Sequence, residues 1–353
     1  MKRTILLIIT NQCNLRCKYC YEVNKNRQTM SMELAQSIIV KEMKEEGLQT
    51  IEFHGGEPLM NFKLLKEVCE WFWATYKESD IKFFLTTNGT LFTADVREWF
   101  EQHKSQIICS LSLDGTPEMN QHNRGCIVSP DTMAFIQRLW PEQAVKMTIS
   151  QYTISQIAEG VIYAHEQGFH VSANLAYGVD WRKCSVKNYE RELDKLVEYY
   201  ISHPSIPPCS LFDGNKLTAI LTPEIQSRHC GAGKTFTAYD TNGNRLPCHV
   251  FADNTLKAER WAEIANQDFS DDNLYKDPDC GECPIYNICP TCFGMNFIER
   301  NHVRCRDKSM CEFIKAEKTA TCRLFKHKIT SKNFDDISEQ EYLILSAIQK
   351  ILG

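Results

Sequence analysis

The sequence predicts an α/β chain: a partial, TIM-like (β/α)6 barrel, open on one side, followed by a cysteine-rich C-terminal region. Three observations predict it. Six short β-rich runs alternate with helical patterns over the first two hundred residues. The alternation breaks at 203–208, where Pro204, Pro207 and Pro208 cluster. Beyond the break lie most of the seventeen cysteines, in a stretch rich in Gly, Pro, Asn and Asp. The expected domains are therefore 1–205 and 206–353, with metal sites standing in for a hydrophobic core in the second.

Each element has its own signal. Residues 4–9 are an unbroken apolar run and read as a buried strand. Ser31 is a helix N-cap, and Leu34, Ile38 and Ile39 line one face of a helix reaching Gly47. The following β/α pairs are 50–53 with 62–77, 81–85 with 94–103, and 107–113 with 131–140. The last two are 145–149 with 155–167 and 171–175 with 186–203. Such alternation indicates right-handed βαβ units and a parallel sheet. Six units are two short of a closed barrel, and the gap admits a large substrate. Residues 337–352 read as a closing amphipathic helix.

A chain of 353 residues with 43% hydrophobic and 24% charged residues is an ordinary globular composition. The net charge of −5, with no long basic run, argues against nucleic acid as a partner. The apolar stretch at 5–9 is too short for a signal peptide and is followed by Thr10, Asn11 and Gln12. No segment reads as a membrane span. A cytoplasmic protein is expected, whose clustered cysteines are metal ligands rather than disulfides.

The chemistry begins directly after the first strand, with Cys13-x3-Cys17-x2-Cys20. Three thiolates on a loop that can wrap supply three corners of an iron–sulfur cube and leave one iron open for chemistry. A zinc knuckle and buried thiols are the alternatives on spacing alone. The triplet, with Tyr19 before its last cysteine, resembles the signature of radical S-adenosylmethionine (SAM) enzymes. The resemblance implies a [4Fe–4S] cluster whose open iron chelates SAM, and a deoxyadenosyl radical that abstracts hydrogen from the substrate. Other strand ends carry further motifs of that family, where parallel-sheet folds bind ligands. Gly55-Gly56-Glu57-Pro58 resembles the GGEP motif that holds the SAM amino group, the glycines allowing close backbone approach and Glu57 accepting from the ammonium. Asn88 lies in a TNGT turn that shapes the pocket wall. Ser112 and Asp114 are implied near the ribose, and Arg124 at the SAM carboxylate. Leu175 packs either on adenine or in the core.

The second cysteine field reads Cys230-x12-Gly243-x4-Cys248, then Cys280-x2-Cys283-x5-Cys289-x2-Cys292, then Cys311. It resembles the SPASM domain of radical SAM maturases, with two auxiliary [4Fe–4S] clusters, so three clusters are expected in all. The x2 gap before Cys292 departs from the family's x3. Carried over, Cys280, Cys283, Cys289 and Cys311 hold the outer cluster, Cys311 being preferred to Cys305 on spacing. Cys230, Cys248 and Cys292 hold the inner one, with Cys209 or an open iron as its fourth site. C-x2-C pairs are also zinc-ribbon spacings. His249 stands where sulfatase maturases carry an aspartate, and could act as a general base or tune the cluster.

The resemblance implies a peptide or protein maturase, in its specific form one that makes a thioether or other cross-link in a ribosomally made peptide. A formylglycine-forming sulfatase maturase and a non-catalytic electron carrier are the other readings. Partners implied are a peptide or protein substrate and a reductant such as flavodoxin or ferredoxin. Because the first strand begins near residue 4, leader recognition is expected to need a separate binding protein or the SPASM face itself.

Overall fold

The computed structural model describes residues 1–222, 230–265 and 267–353. Strands β1 (Arg3–Thr10), β2 (Leu48–Gly55), β3 (Lys82–Thr87) and β4 (Ile107–Leu111) pair in parallel, in the order β4-β3-β2-β1. Strands β5 (Val145–Ile149) and β6 (Val171–Leu175) form a two-stranded sheet, and Ser112, just past β4, bridges Lys146. Helices Met32–Glu42, Phe62–Thr75, Ala94–His103, Pro130–Leu139, Ile157–Glu166 and Val186–Ser202 follow the strands. Four of them start where Ser31, Thr93, Ser129 or Ser185 accepts a backbone N–H of the first turn. The fold class is the one the alternation predicts.

The two faces of the sheet differ. Ile51, Phe53, Phe83 and Leu85 are fully buried. Their neighbours Glu52, His54, Phe84 and Thr86 alternate onto the other face and are only half-buried. Such a polar inner face is unlike the Val/Leu/Ile packing of a filled barrel.

The C-terminal region departs from expectation in two ways. Strand β7 (Phe236–Tyr239) pairs in parallel with β1, Leu7 opposite Tyr239, and β8 (Arg245–Leu246) closes a hairpin onto it. An open β1 edge leaves a row of N–H and C=O groups without partners, and β7 takes it up. By contact the chain divides into two compact units. Met1–Leu113, Asn120–Lys146 and Cys230–Asp271 make one; Asp114–Met119, Met147–His229 and Asp272–Gly353 make the other. Strand β7 returns to β1 in the first unit, and helix Val186–Ser202 packs on helix Cys311–Thr330 in the second.

Nor does metal replace a core throughout this region. Helix Cys311–Thr330 buries Phe313, Ile314, Ala320 and Leu324 and packs on Val186–Ser202. There the Tyr189 hydroxyl donates to Glu317 Oε1 at 2.7 Å. The closing helix is Glu339–Leu352, begun by a reciprocal Ser338/Glu341 cap. No helix among the described residues is long and apolar enough to cross a membrane.

Candidate active site

The cysteine triplet lies on the loop leaving the carboxyl end of β1, and the next two strand ends lock it in place. The Gly56 N–H donates to Thr10 O at 3.1 Å, and the Glu57 N–H to Gln12 O at 2.8 Å. A Cβ on Gly55 would sit 2.3 Å from Thr10 O; one on Gly56 would sit 2.4 Å from Gln12 O and 2.7 Å from Cys13 Cβ. The Gly56 amide and the missing side chains of both glycines bring this segment against the cysteine loop.

Inside the loop, the Leu15 N–H donates to Cys13 Sγ at 3.4 Å and the Cys20 N–H to Cys17 O at 3.1 Å. Cys13, Cys17 and Cys20 are all half-buried. Desolvation pushes the Cys13 thiol up, while the Leu15 N–H and the Lys25 ammonium pull it back toward thiolate. Among the described residues no three His, Cys, Asp or Glu side chains converge as ligands of one ion.

Glu57 is 2% exposed, and its carboxylate takes three protein donors. Oε1 accepts the Leu59 N–H at 3.1 Å and the Thr87 hydroxyl at 2.7 Å; Oε2 accepts the Asn88 N–H at 2.8 Å. Burial pushes its pKa up, with these donors and the Arg124 charge opposing. Glu57 therefore orders the Thr87–Asn88–Gly89 turn and keeps acceptor capacity on Oε2. Asn88 in turn donates through Nδ2 to Asn14 Oδ1, inside the cysteine loop, at 2.9 Å. Gly89 has φ +80°, the left-handed region that favours glycine.

Arg124 is 8% exposed, with its guanidinium carbon 5.6 Å from the Tyr19 ring centroid. The Lys18 N–H donates to Asn123 O at 2.8 Å, so the cysteine loop and the Arg124 segment are tied by backbone. Ser112 is buried, its N–H bonded to Thr87 O at 2.8 Å. In the second unit, Asp114 Oδ1 accepts the Thr148 N–H at 2.9 Å, and Leu175 is 4% exposed at the end of β6.

His249 lies in a ring cluster, with centroids 4.6 Å from His54 and 5.9 Å from Tyr21. Burial, then the neighbouring His54, lowers its pKa to about 3. Both effects favour the neutral imidazole. Sequence reasoning missed His54 and Glu22, whose Nε2 and Oε1 stand 3.6 Å apart. A histidine directly before the Gly-Gly pair was the available signal.

Cys230 and Cys248 flank the β7–β8 hairpin, whose ends are joined by the Gly233 N–H donating to Pro247 O at 3.0 Å. Both belong to the first unit, and Cys292, at the start of helix Phe293–Arg300, to the second. Cys209 is 1% exposed. Burial pushes its thiol up to about 11, against the opposing Tyr200 hydroxyl, and its N–H bonds that hydroxyl at 2.9 Å. Cys209 lies in the second unit, whereas Cys230 and Cys248 lie in the first.

Cys280, Cys283, Cys289 and Cys311 line one cavity of the second unit, with Arg306 and Met310 among its walls. Cys305 does not line it; its carbonyl accepts from Arg300 Nε at 2.7 Å. Sequence reasoning also missed Lys308, whose Nζ lies 2.9 Å from Cys280 Sγ.

Residues 7–180 match the Radical SAM superfamily. They form a radical SAM domain.

The radical SAM cyclopropyl synthase TigE of Paramaledivibacter caminithermalis is 23% identical, over 89% of this chain and 72% of TigE. Two solved structures share the fold. Native anSMEcpe with bound AdoMet matches with TM-score 0.71 at 19% identity, covering 93% of this chain and 100% of that one. Streptococcus suis SuiB bound to precursor peptide SuiA gives TM-score 0.63 at 17% identity, covering 88% and 76%. A 32% identical stretch of an uncharacterized Methanocaldococcus jannaschii protein spans 31% of this chain and 38% of that relative.

A radical SAM enzyme needs a [4Fe–4S] cluster with SAM, and the residues present fit both. Three half-buried thiols sit on a loop fixed by its neighbours, with the Lys25 ammonium favouring thiolate. Arg124, a bidentate donor for a carboxylate, is tied to that loop. The C-terminal cavity also suits a cluster. The buried Nε–H of Arg306 on its wall has no hydrogen-bond partner, and a cluster sulfur is an acceptor of the right kind.

Proposed function

We propose that this enzyme is a maturase that abstracts hydrogen from a peptide or protein and oxidatively modifies it, forming a thioether or other cross-link in a ribosomally made peptide. The observation that carries the reading is the pairing of two cysteine systems: the pinned triplet after β1, and a four-thiol cavity in the second unit. The cluster at the first site supplies, with SAM, the hydrogen-abstracting radical.

The chain's own residues bind and orient. Cys13, Cys17 and Cys20 hold the first cluster, and Gly55 and Gly56 fix their loop. Arg124, stacked on Tyr19, takes the SAM carboxylate. Glu57 sets the Asn88 turn that walls the pocket, and Ser112 and Asp114 stand at the ribose, with Leu175 beside the adenine. Cys280, Cys283, Cys289 and Cys311 hold an outer cluster, and Cys230, Cys248 and Cys292 an inner one. The fourth site of the inner cluster is Cys209 or an open iron that a substrate thiolate can fill.

SuiB binding a precursor peptide on the same fold supports a peptide substrate. The polar inner face of β2 and β3 suits a polypeptide better than an apolar metabolite. A flavodoxin or ferredoxin supplies electrons. Mass spectrometry of a co-expressed, cysteine-containing precursor tests this. A product lighter by two hydrogens per linkage, with that cysteine protected from alkylation, is expected. Thiols that still alkylate fully would exclude the thioether.

A further inference from the structure

Four basic groups stand near the four-thiol cavity, and they are not equivalent. Arg300 turns to the Cys305 carbonyl. Lys315 pairs with Glu312 at 2.8 Å, which cancels most of its charge. Arg306 stacks on Tyr286, its guanidinium carbon 4.2 Å from the ring centroid, and reaches the carbonyls of Tyr286 and Cys289 at 3.4 Å. Arg306 also donates to the Cys289 thiol, and Lys308 Nζ lies 2.9 Å from Cys280 Sγ.

That contact is built. Asp277 is 5% exposed; its Oδ2 lies 3.3 Å from Lys308 Nζ and accepts the Arg306 N–H at 3.2 Å. Its Oδ1 accepts the Asp279 N–H at 3.0 Å, and the Asp277 N–H is bonded to the Tyr286 hydroxyl at 2.8 Å. A carboxylate so held keeps the ammonium at the sulfur. It also subtracts from the ammonium's long-range charge, so the effect on the site comes through the directed N–H···S bond.

We infer that Lys308, positioned by Asp277, raises the reduction potential of a cluster held by Cys280, Cys283, Cys289 and Cys311. The inference rests on the outer-cluster assignment proposed above. A cube with four thiolates gains one negative charge when it takes up one electron. A donor on a ligand sulfur stabilises that more negative form preferentially. The Lys308 side chain is 48% exposed, so water and salt screen it. The expected size is about tenfold in the reduction equilibrium, or about 59 mV for one electron. Lys308 is a positioning residue: it touches a ligand, not substrate.

The test is a redox titration, read by electron paramagnetic resonance on anaerobically reconstituted full-length protein. Cys13, Cys17 and Cys20 are replaced by Ala in every sample, so that only C-terminal signals are read. In K308Q one midpoint should fall by about that amount and the other should stay. K308R should recover most of the shift, since arginine also donates to sulfur. Full iron with unmoved midpoints in K308Q would overturn the inference and leave the cluster standing. If a C280A/C283A pair in the same background loses no iron, the outer-cluster assignment itself fails. D277N is the second variant, read with and without K308Q: if Asp277 acts by placing Lys308, D277N should move that midpoint by different amounts in the two backgrounds, and equal shifts in both would overturn the role given to Asp277.

Discussion

Gly56→Ala is the sharpest perturbation of the proposed active site. The new Cβ would stand 2.4 Å from Gln12 O, 2.6 Å from Gln12 C and 2.7 Å from Cys13 Cβ. Ordinary carbon contacts lie at about 3.5–4.0 Å, so the loop must retreat by about 1 Å. The neighbours are backbone and a Cβ, and none can rotate away. Overpacking of this kind costs about 1–3 kcal/mol, and stretching the 2.8 Å bond from the Glu57 N–H to Gln12 O adds about 1 kcal/mol. The expected loss of stability is about 2–4 kcal/mol, and Cys13 moves with the loop. Iron and sulfide analysis after anaerobic reconstitution should show the loss of about four of about twelve iron. Gly125→Ala is the control, because its Cβ would meet nothing within 4 Å while its φ of +76° still imposes strain. That strain costs about 1–2 kcal/mol and should leave iron content unchanged. A Gly56→Ala protein with full iron and wild-type stability would refute the argument that this glycine positions the cysteine loop.

Replacing Cys13, Cys17 and Cys20 together by Ala should lower iron from about twelve to about eight per chain and abolish the methionine and 5′-deoxyadenosine formed with a strong reductant. Zinc making up the metal in the wild type would sink the auxiliary clusters. Arg124→Gln should weaken SAM binding by roughly tenfold or more in an equilibrium titration, since it leaves the ligand carboxylate without its cation; unchanged affinity would move the carboxylate elsewhere. Glu42→Gln should remove an acid-dependent part of the stability. Burial pushes the Glu42 carboxyl up, but the Tyr239 hydroxyl and the Arg3 guanidinium at 2.6 Å hold it below its usual range. A depressed folded pKa means stability present above the unfolded value of about 4.3 and lost as pH falls through the folded value. Wild type should therefore be the more stable at pH 7 by about 1–3 kcal/mol, with the gap closing below about pH 4 in denaturant titrations.

Local signals were legible wherever pattern and cap agreed. The 145–149 and 171–175 strands and the 94–103 helix fall where the alternation puts them. Strand β7 was not legible, because four residues carry little periodicity and their partner β1 lies more than two hundred residues earlier. Helix Cys311–Thr330 was hidden by its many Lys and Glu residues and by a reading that gave its cysteine field to metal alone. The motif residues at the strand ends were found by spacing, yet spacing could not say which way their atoms are used. Glu57 and the glycine pair have the motif's identity, but their hydrogen bonds run to the protein. The Lys308–Cys280 contact joins residues 28 apart that no pattern links.

These bonds also say how the site keeps its geometry. Three consecutive strand ends hold one another: Thr10 and Gln12 carbonyls take the Gly56 and Glu57 amides, Glu57 takes the Thr87 and Asn88 donors, and Asn88 returns to Asn14 between the first two cysteines. The circuit closes with no ligand in it. A cysteine loop so fixed would need less reorganisation to take up iron than a free one, and the Lys18–Asn123 bond would tie it to the Arg124 segment. Damage to any link should therefore act on cluster and SAM together, even at residues that never touch either. The Arg124 guanidinium supplies none of the bonds just named, so its loss should weaken SAM while the first cluster remains.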